Sequence, residues 1–258
     1  MRFTSETISD GVSERRFTLD GIPGVLWTPA GATGTRPLVL LGHGGGQDKT
    51  APGVVARARR YVTNCGFAAA AIDAPGHGGR PKTEQDERFI ADVRPRMLAG
   101  EPVWPQIAEH NANLAERGVP EWRATLDALL ADDGPGGAGR SGTGGYGPVG
   151  YWGVSLGCGI GVPLTAAEPR ISAAVFGLAG HEALAGAAAR ITVPVEFLLQ
   201  WDDEQVSRES GLALFGAFGS AEKTLHANPG RHAAVPRFEV DSAERFFTRH
   251  LGRGERLS

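Results

Sequence analysis

The chain has 258 residues, with 26 Lys and Arg set against 29 Asp and Glu for a formal net charge of −3, and 41% of its residues are hydrophobic. That balance provides no basic face for a nucleic acid or an anionic membrane surface, and the apolar share is too high for a disordered chain. The length suits one α/β domain over residues 1–258, large enough to bury a core without disulfide staples.

Cys65 and Cys158 are too few and too far apart in sequence for a disulfide framework or a four-ligand metal site, and read as free thiols in a reducing compartment. Met1 to Glu6 is polar and has no apolar core for a secretory signal. No apolar run reaches the roughly 20 residues that span a bilayer. A soluble, cytoplasmic protein is expected. No feature speaks to the oligomeric state.

In chain order, Arg16 to Thr28 reads as an antiparallel hairpin around Gly21-Ile22-Pro23-Gly24. Pro37 to Gly42 is a buried strand. Ala51 to Asn64 is a helix with Gly66 just past its end. Phe67 to Asp73 and Val149 to Val154 are two more buried strands, with a helix from Leu156 to Ala167 after the latter. Ile171 to Phe176, Val195 to Gln200 and Lys223 to Ala227 continue the strands, and Asp241 to Leu251 closes the chain as a helix. Continuous apolar strands alternating with helices predict a mostly parallel sheet covered on both faces. Two stretches break the rhythm. Pro81 to Gly118 is charged and interrupted by Pro95, Pro102 and Pro105, and is expected to be a small helical insertion serving as a lid, with an ordinary crossover helix as the other reading. Asp133 to Gly147 holds eight glycines and reads as a flexible loop.

Gly153-Val154-Ser155-Leu156-Gly157 fits G-x-S-x-G. A serine on a sharp strand-to-helix turn needs small neighbours two residues away on each side, where larger side chains would clash as the chain doubles back. The context agrees, since an apolar strand precedes the motif and a helix follows. The N-terminus of that helix favours developing negative charge. His43-Gly44-Gly45-Gly46 follows the first buried strand, and glycines there let backbone amides approach an oxyanion. One donor is expected from Gly45 or Gly44 and the other from Leu156, with His43 orienting the loop. A phosphate loop is excluded, because the glycine that G-x-x-x-x-G-K-[ST] requires before Lys49 is missing. Gly137 to Gly142 matches G-x-G-x-x-G but precedes a strand, which is the wrong setting for a dinucleotide.

A carboxylate that orients a histidine belongs just past a later strand, which offers Asp202 or Asp203 after Gln200. Glu204 reads as a solvated charge. Of seven histidines, His110 and His250 read as surface residues, His226 as a packed strand residue and His181 as a possible pocket-lining one. His232 lies in a loop just past the last strand, where a base can reach a nucleophile. Asp73-Ala74-Pro75-Gly76-His77-Gly78 is a turn; Asp73 and His77 alone lack a third metal ligand.

Taken together, Gly42 to Gly46, Asp73 to Gly78, Gly153 to Gly157, Asp203-Glu204-Gln205-Val206 and His232 come in an order that resembles the α/β-hydrolases, across about residues 38–232. The nearest likeness is to the dienelactone-hydrolase-like and prolyl-oligopeptidase-like esterase branches. The resemblance implies the α/β-hydrolase fold and a triad of Ser155, His232 and Asp203. The D-x-x-V pattern favours Asp203 over Asp202. It further implies hydrolysis of a small-molecule carboxylic ester through an acyl-enzyme, with no cofactor and no metal. A thioesterase, an amidase or a C–C bond hydrolase would use the same machinery, and a non-catalytic binding protein would use the same fold. Two departures stand out. Dienelactone hydrolases carry cysteine where this chain has Ser155, and Gln200-Trp201 replaces the H-G usual before the acid, with Trp201 expected to fill space beside the triad.

Overall fold

The computed structural model describes residues 1–131 and 145–252. Most of the predicted glycine-rich loop, and the whole Gly137 to Gly142 pattern, lie outside the described residues. Among the described residues, nine strands form one sheet: β1 (Arg2–Ser9), β2 (Val12–Leu19), β3 (Ile22–Pro29), β4 (Arg36–Gly42), β5 (Ala68–Ile72), β6 (Tyr146–Val154), β7 (Ile171–Gly177), β8 (Val195–Gln200) and β9 (Lys223–Asn228). Their order across the sheet is β1-β2-β3-β5-β4-β6-β7-β8-β9. β1, β2 and β3 run antiparallel as far as β5, and every pairing from β5 through β4 to β9 is parallel.

The helices are α1 (Pro52–Cys65), α2 (Glu84–Leu98), α3 (Trp104–Ala131), α4 (Leu156–Ala167), α5 (Ala185–Ala188), α6 (Arg208–Ala217) and α7 (Phe238–Leu251). Parallel neighbours need long crossovers, and these helices supply them on both faces. Side-chain alternation along β4 splits the core accordingly. Leu38 and Leu40 pack with Trp122, Leu126, Phe176 and Phe197, while Val39 and Leu41 pack on the other face with Tyr61, Trp27 and Phe247.

The N-terminal part departs from expectation. The hairpin turns at Asp20-Gly21, where both residues have positive φ, and Pro23 and Gly24 lie within β3 instead. A second hairpin at Asp10-Gly11 adds β1, which the sequence reading missed because nearly all of its residues are exposed and it shows no apolar alternation. Asp-Gly is the dipeptide that two-residue hairpin turns favour, so both turns carried a local signal.

The 81–118 stretch divides into two unlike helices. α2 opens on a capping box between Thr83 and Asp86, and only Asp86 and Val93 are buried along it. α3 extends well past residue 118 and packs along α4, burying Leu114, Trp122, Leu126 and Leu129. Val103 and Trp104 are core residues, and the Trp104 indole donates to Glu182 Oε2 at 2.8 Å. Among the described residues, no helix is long and apolar enough to cross a membrane.

Candidate active site

Parallel strands end at a common edge, and the loops past those ends gather the predicted site residues. Ser155 sits between β6 and α4 with φ +56° and ψ −121°, a backbone region that non-glycine residues rarely occupy. The turn holds because its neighbours have no side chains. A Cβ on Gly153 would lie 2.5 Å from the Gly157 carbonyl oxygen, and one on Gly157 would lie 2.8 Å from that of Gly42. The Ser155 amide donates to the Gly177 carbonyl at 3.0 Å, tying the elbow to β7.

Beneath the elbow lies a residue that motif reading missed. Tyr151, fully buried in β6, donates its hydroxyl to the Gly157 carbonyl at 2.7 Å. Burial pushes its phenol well above the ordinary range, so it remains a donor. A lone tyrosine inside an apolar strand carries a faint signal, because a buried hydroxyl needs a partner.

His232 follows β9 and reaches two of the predicted residues. Its Nε2 lies 3.1 Å from Ser155 Oγ, and its Nδ1 lies 2.7 Å from Asp203 Oδ2. The other oxygen of Asp203 accepts the amides of Gln205 at 2.8 Å and Val206 at 3.0 Å. Both Asp203 and His232 are buried side chains. The neighbouring Asp202 does different work: it accepts the Gly230 amide at 3.1 Å. This geometry can transfer a proton from the serine hydroxyl to a histidine whose far side is held by a carboxylate.

Two further amides, those of Leu156 and Gly45, lie just past the ends of β6 and β4. Leu156 is the first residue of α4, where the amide has no partner inside the helix. Among the described residues the Gly45 amide also has no hydrogen-bond partner, whereas that of Gly44 donates to Gln47 Oε1 at 3.3 Å. His43 is buried behind them. Its Nε2 accepts the Ala74 amide at 3.0 Å, which leaves Nδ1 to donate to the Gly44 carbonyl at 2.9 Å. Burial holds its pKa below the usual histidine range, so a neutral ring pins this loop to the end of β5.

Several expectations need correction. Trp201 does not fill space beside the triad; it is 43% exposed, with the Arg208 guanidinium 3.8 Å above its ring. Glu204 is not merely solvated, since it accepts the His232 amide at 3.0 Å. His110 is buried, stacked on Phe89 at 3.8 Å, because the helix that carries it is part of the body of the domain. His250 is half-buried against Phe246. In the turn predicted at Asp73 to Gly78, both polar side chains have partners of their own. Asp73 is fully buried in an ion pair with Lys49 Nζ at 2.9 Å, and His77 Nδ1 lies 2.9 Å from the Pro75 carbonyl.

Among the described residues, one group offers three potential metal ligands within 4.8 Å of one another: Glu196, His226 and Glu239. His226 Nδ1 is 2.8 Å from Glu239, and its Nε2 is 3.8 Å from Glu196. Both ring nitrogens thus face carboxylates already, and Asn228 and Ser242 supply further donors to the two glutamates.

A strained serine elbow at the carboxyl edge of a parallel sheet, with a histidine and a carboxylate delivered by the last two strands, defines an α/β-hydrolase. No protein-family model matches the chain, and no curated protein does. Solved structures do. A cold-adapted esterase from an Arctic intertidal metagenomic library, in a PEG-bound complex, shares 37% identity over 97% of this chain and 100% of that one, with a TM-score of 0.77. The chain therefore belongs to the same family as that esterase, within the α/β-hydrolase superfamily. Two more distant structures share the fold. Dienelactone hydrolase from Anabaena variabilis has 20% identity over 92% of this chain and 99% of its own, with a TM-score of 0.61. Est1E from Butyrivibrio proteoclasticus, with ferulic acid bound, has 15% identity over 91% and 98%, with a TM-score of 0.66.

Proposed function

We propose that this protein is a carboxylic-ester hydrolase that works through an acyl-enzyme on Ser155, with His232 as base and Asp203 as its orienting acid. One observation carries the reading. His232 stands between the Ser155 hydroxyl at 3.1 Å and the Asp203 carboxylate at 2.7 Å, in a chain 37% identical to an esterase. Ser155 Oγ attacks the acyl carbon and gives its proton to His232 Nε2. As the tetrahedral species collapses, the C–O bond breaks and the same proton passes to the leaving alcohol. Water then attacks the acyl-serine, His232 takes one of its protons, and the Ser155 hydroxyl is restored as the acid departs.

Developing negative charge on the acyl oxygen is held by the amides of Leu156 and Gly45. Gly44 is the weaker choice because Gln47 already occupies its amide. Loss of one such donor typically costs about 2.7–4 kcal/mol of transition-state stabilisation. Over the carboxyl edge of the sheet, α2 is the lid of a single domain. It is supported in that role by Asp86, which sits close behind Gly76, just past β5. Two buried thiols, Cys65 and Cys158, fit a cytoplasmic setting. The net charge of −3 fits a small-molecule substrate without a nucleic-acid partner.

Short- and medium-chain p-nitrophenyl esters test the reading, with thioester and amide analogues alongside. Wild type hydrolyses the oxygen esters, and Ser155→Ala loses at least about 10³-fold in kcat. Folded wild-type protein that neither turns over any of these substrates nor reacts with a serine-directed phosphonate would sink it.

A further inference from the structure

The loop that carries His232 has no regular secondary structure, so other groups must hold its backbone. They come from one short stretch on either side of the acid. Gln200, the last residue of β8 and almost fully buried, points its amide nitrogen at three loop carbonyls: Ala234 at 3.0 Å, Arg231 at 3.3 Å and Pro229 at 3.5 Å. Its Oε1 is buried without a partner among the described residues. On the far side of Asp203, Glu204 accepts the amide of His232 itself at 3.0 Å and pairs with Arg231 Nε at 3.4 Å. Burial raises its carboxyl, but the His232 amide, its own amide and Arg231 outweigh that and hold it below the usual range, so it stays an anion and an acceptor.

We propose that Gln200 and Glu204 are positioning residues for His232, clamping its loop from both sides of Asp203 so that the ring stays between that carboxylate and Ser155. This deepens the proposed ester hydrolysis and rests on it. It also accounts for glutamine at the position where the family's usual pattern has H-G: carbonyls of the His232 loop converge there, and the two N–H donors of the amide serve the nearest of them, Ala234 and Arg231. Two of the positions act on backbone and one on the ring, so that the clamp fixes where the histidine is and Asp203 fixes which way it faces. An error of about 1 Å at a reacting group costs on the order of 10²-fold, and slackening a clamp is a fraction of that.

Four proteins decide it: wild type, Glu204→Ala, Glu204→Gln and Gln200→Leu, measured for p-nitrophenyl ester kinetics and for the proton resonance of His232 Nδ1–H. In Glu204→Ala, kcat falls about tenfold with KM unchanged, and the resonance broadens or is lost. Glu204→Gln keeps a carbonyl that accepts the His232 amide, and retains kcat within about twofold together with the resonance. Gln200→Leu, close in volume, falls in kcat as Glu204→Ala does. A merely structural role would lower the melting temperature and leave kcat and the resonance of the folded protein alone. Unchanged kcat and resonance in Glu204→Ala overturn the clamp, whether or not Gln200→Leu folds. Wild-type activity that survives Ser155→Ala is a different failure, because it removes the proposed triad itself.

Discussion

His226 and His232 are near neighbours in sequence, and each sets Nδ1 against a buried carboxylate at almost the same distance: 2.8 Å to Glu239 and 2.7 Å to Asp203. What differs is the other ring nitrogen. Nε2 of His232 meets the Ser155 hydroxyl, a group with a proton to give. Nε2 of His226 faces Glu196, a second acid. The first histidine stands at the carboxyl edge of the sheet, where substrate can arrive. The second lies within β9, with its Nδ1 held by Glu239 of α7. A histidine–carboxylate pair is therefore only half of a proton relay, and its position in the fold supplies the other half.

The sharpest way to break this comparison is to disable both carboxylates alike. Asp203→Asn should lower kcat by about 10³–10⁴-fold with the fold intact, since the wrong tautomer then faces the serine. Glu239→Gln should leave kcat within about twofold and cost on the order of 1–3 kcal/mol in urea melts, by weakening buried hydrogen bonds to His226 and Asn228. Equal kinetic effects from the two variants would show that the regions are not separate in function.

A smaller effect is expected under the serine. Tyr151→Phe removes the donor to the Gly157 carbonyl and should cost about 1–2 kcal/mol of stability. The matching kinetic sign is a kcat reduced by a few-fold, because the strained turn loses its support. A variant with unchanged melting would mean that another donor reaches that carbonyl.

The smallest effect concerns pH. Burial, with Glu239 adding to it, raises the Glu196 carboxyl above its ordinary range, although His226 and Ser242 oppose the shift. The folded state then holds a proton that the unfolded chain has already released, so the group's contribution is full in acid and is lost as pH rises through the folded value. Glu196→Gln removes that loss. It should gain under about 1 kcal/mol over wild type at about pH 8 and nothing at about pH 4, as read from denaturant midpoints. A gain that is the same at both values would assign the effect to packing instead.

Much of the fold was legible because parallel strands buried on both faces leave continuous apolar runs, as in Leu38 to Leu41 and Phe67 to Ile72. The exposed strand β1 left no such run, and only the Asp10-Gly11 turn marked it. α3 runs on past the 81–118 stretch that was expected to be an insertion, with Pro105 in its first turn and Pro120 carried in its interior by packing on α4. In the site, glycine spacing pointed to Ser155, since small residues are a local steric requirement of the turn. Glu204 was misread as a solvated charge because its partner, the His232 amide, lies 28 residues further along the chain.

By itself the sequence determined the class of the fold and the identity of the elbow, since both depend on neighbours within one strand, turn or helix. Among like residues, chain order and the D-x-x-V pattern already favoured His232 and Asp203, and the tertiary structure supplied the physical reason. Asp202 and Asp203 are adjacent carboxylates, and the twist of the chain past β8 aims one at the Gly230 amide and the other at His232. Any of seven histidines has the chemistry of a base. Only packing brings His232 to Ser155 across 77 residues of chain, because a contact between distant segments is decided by how their strands pair and not by any pattern within them.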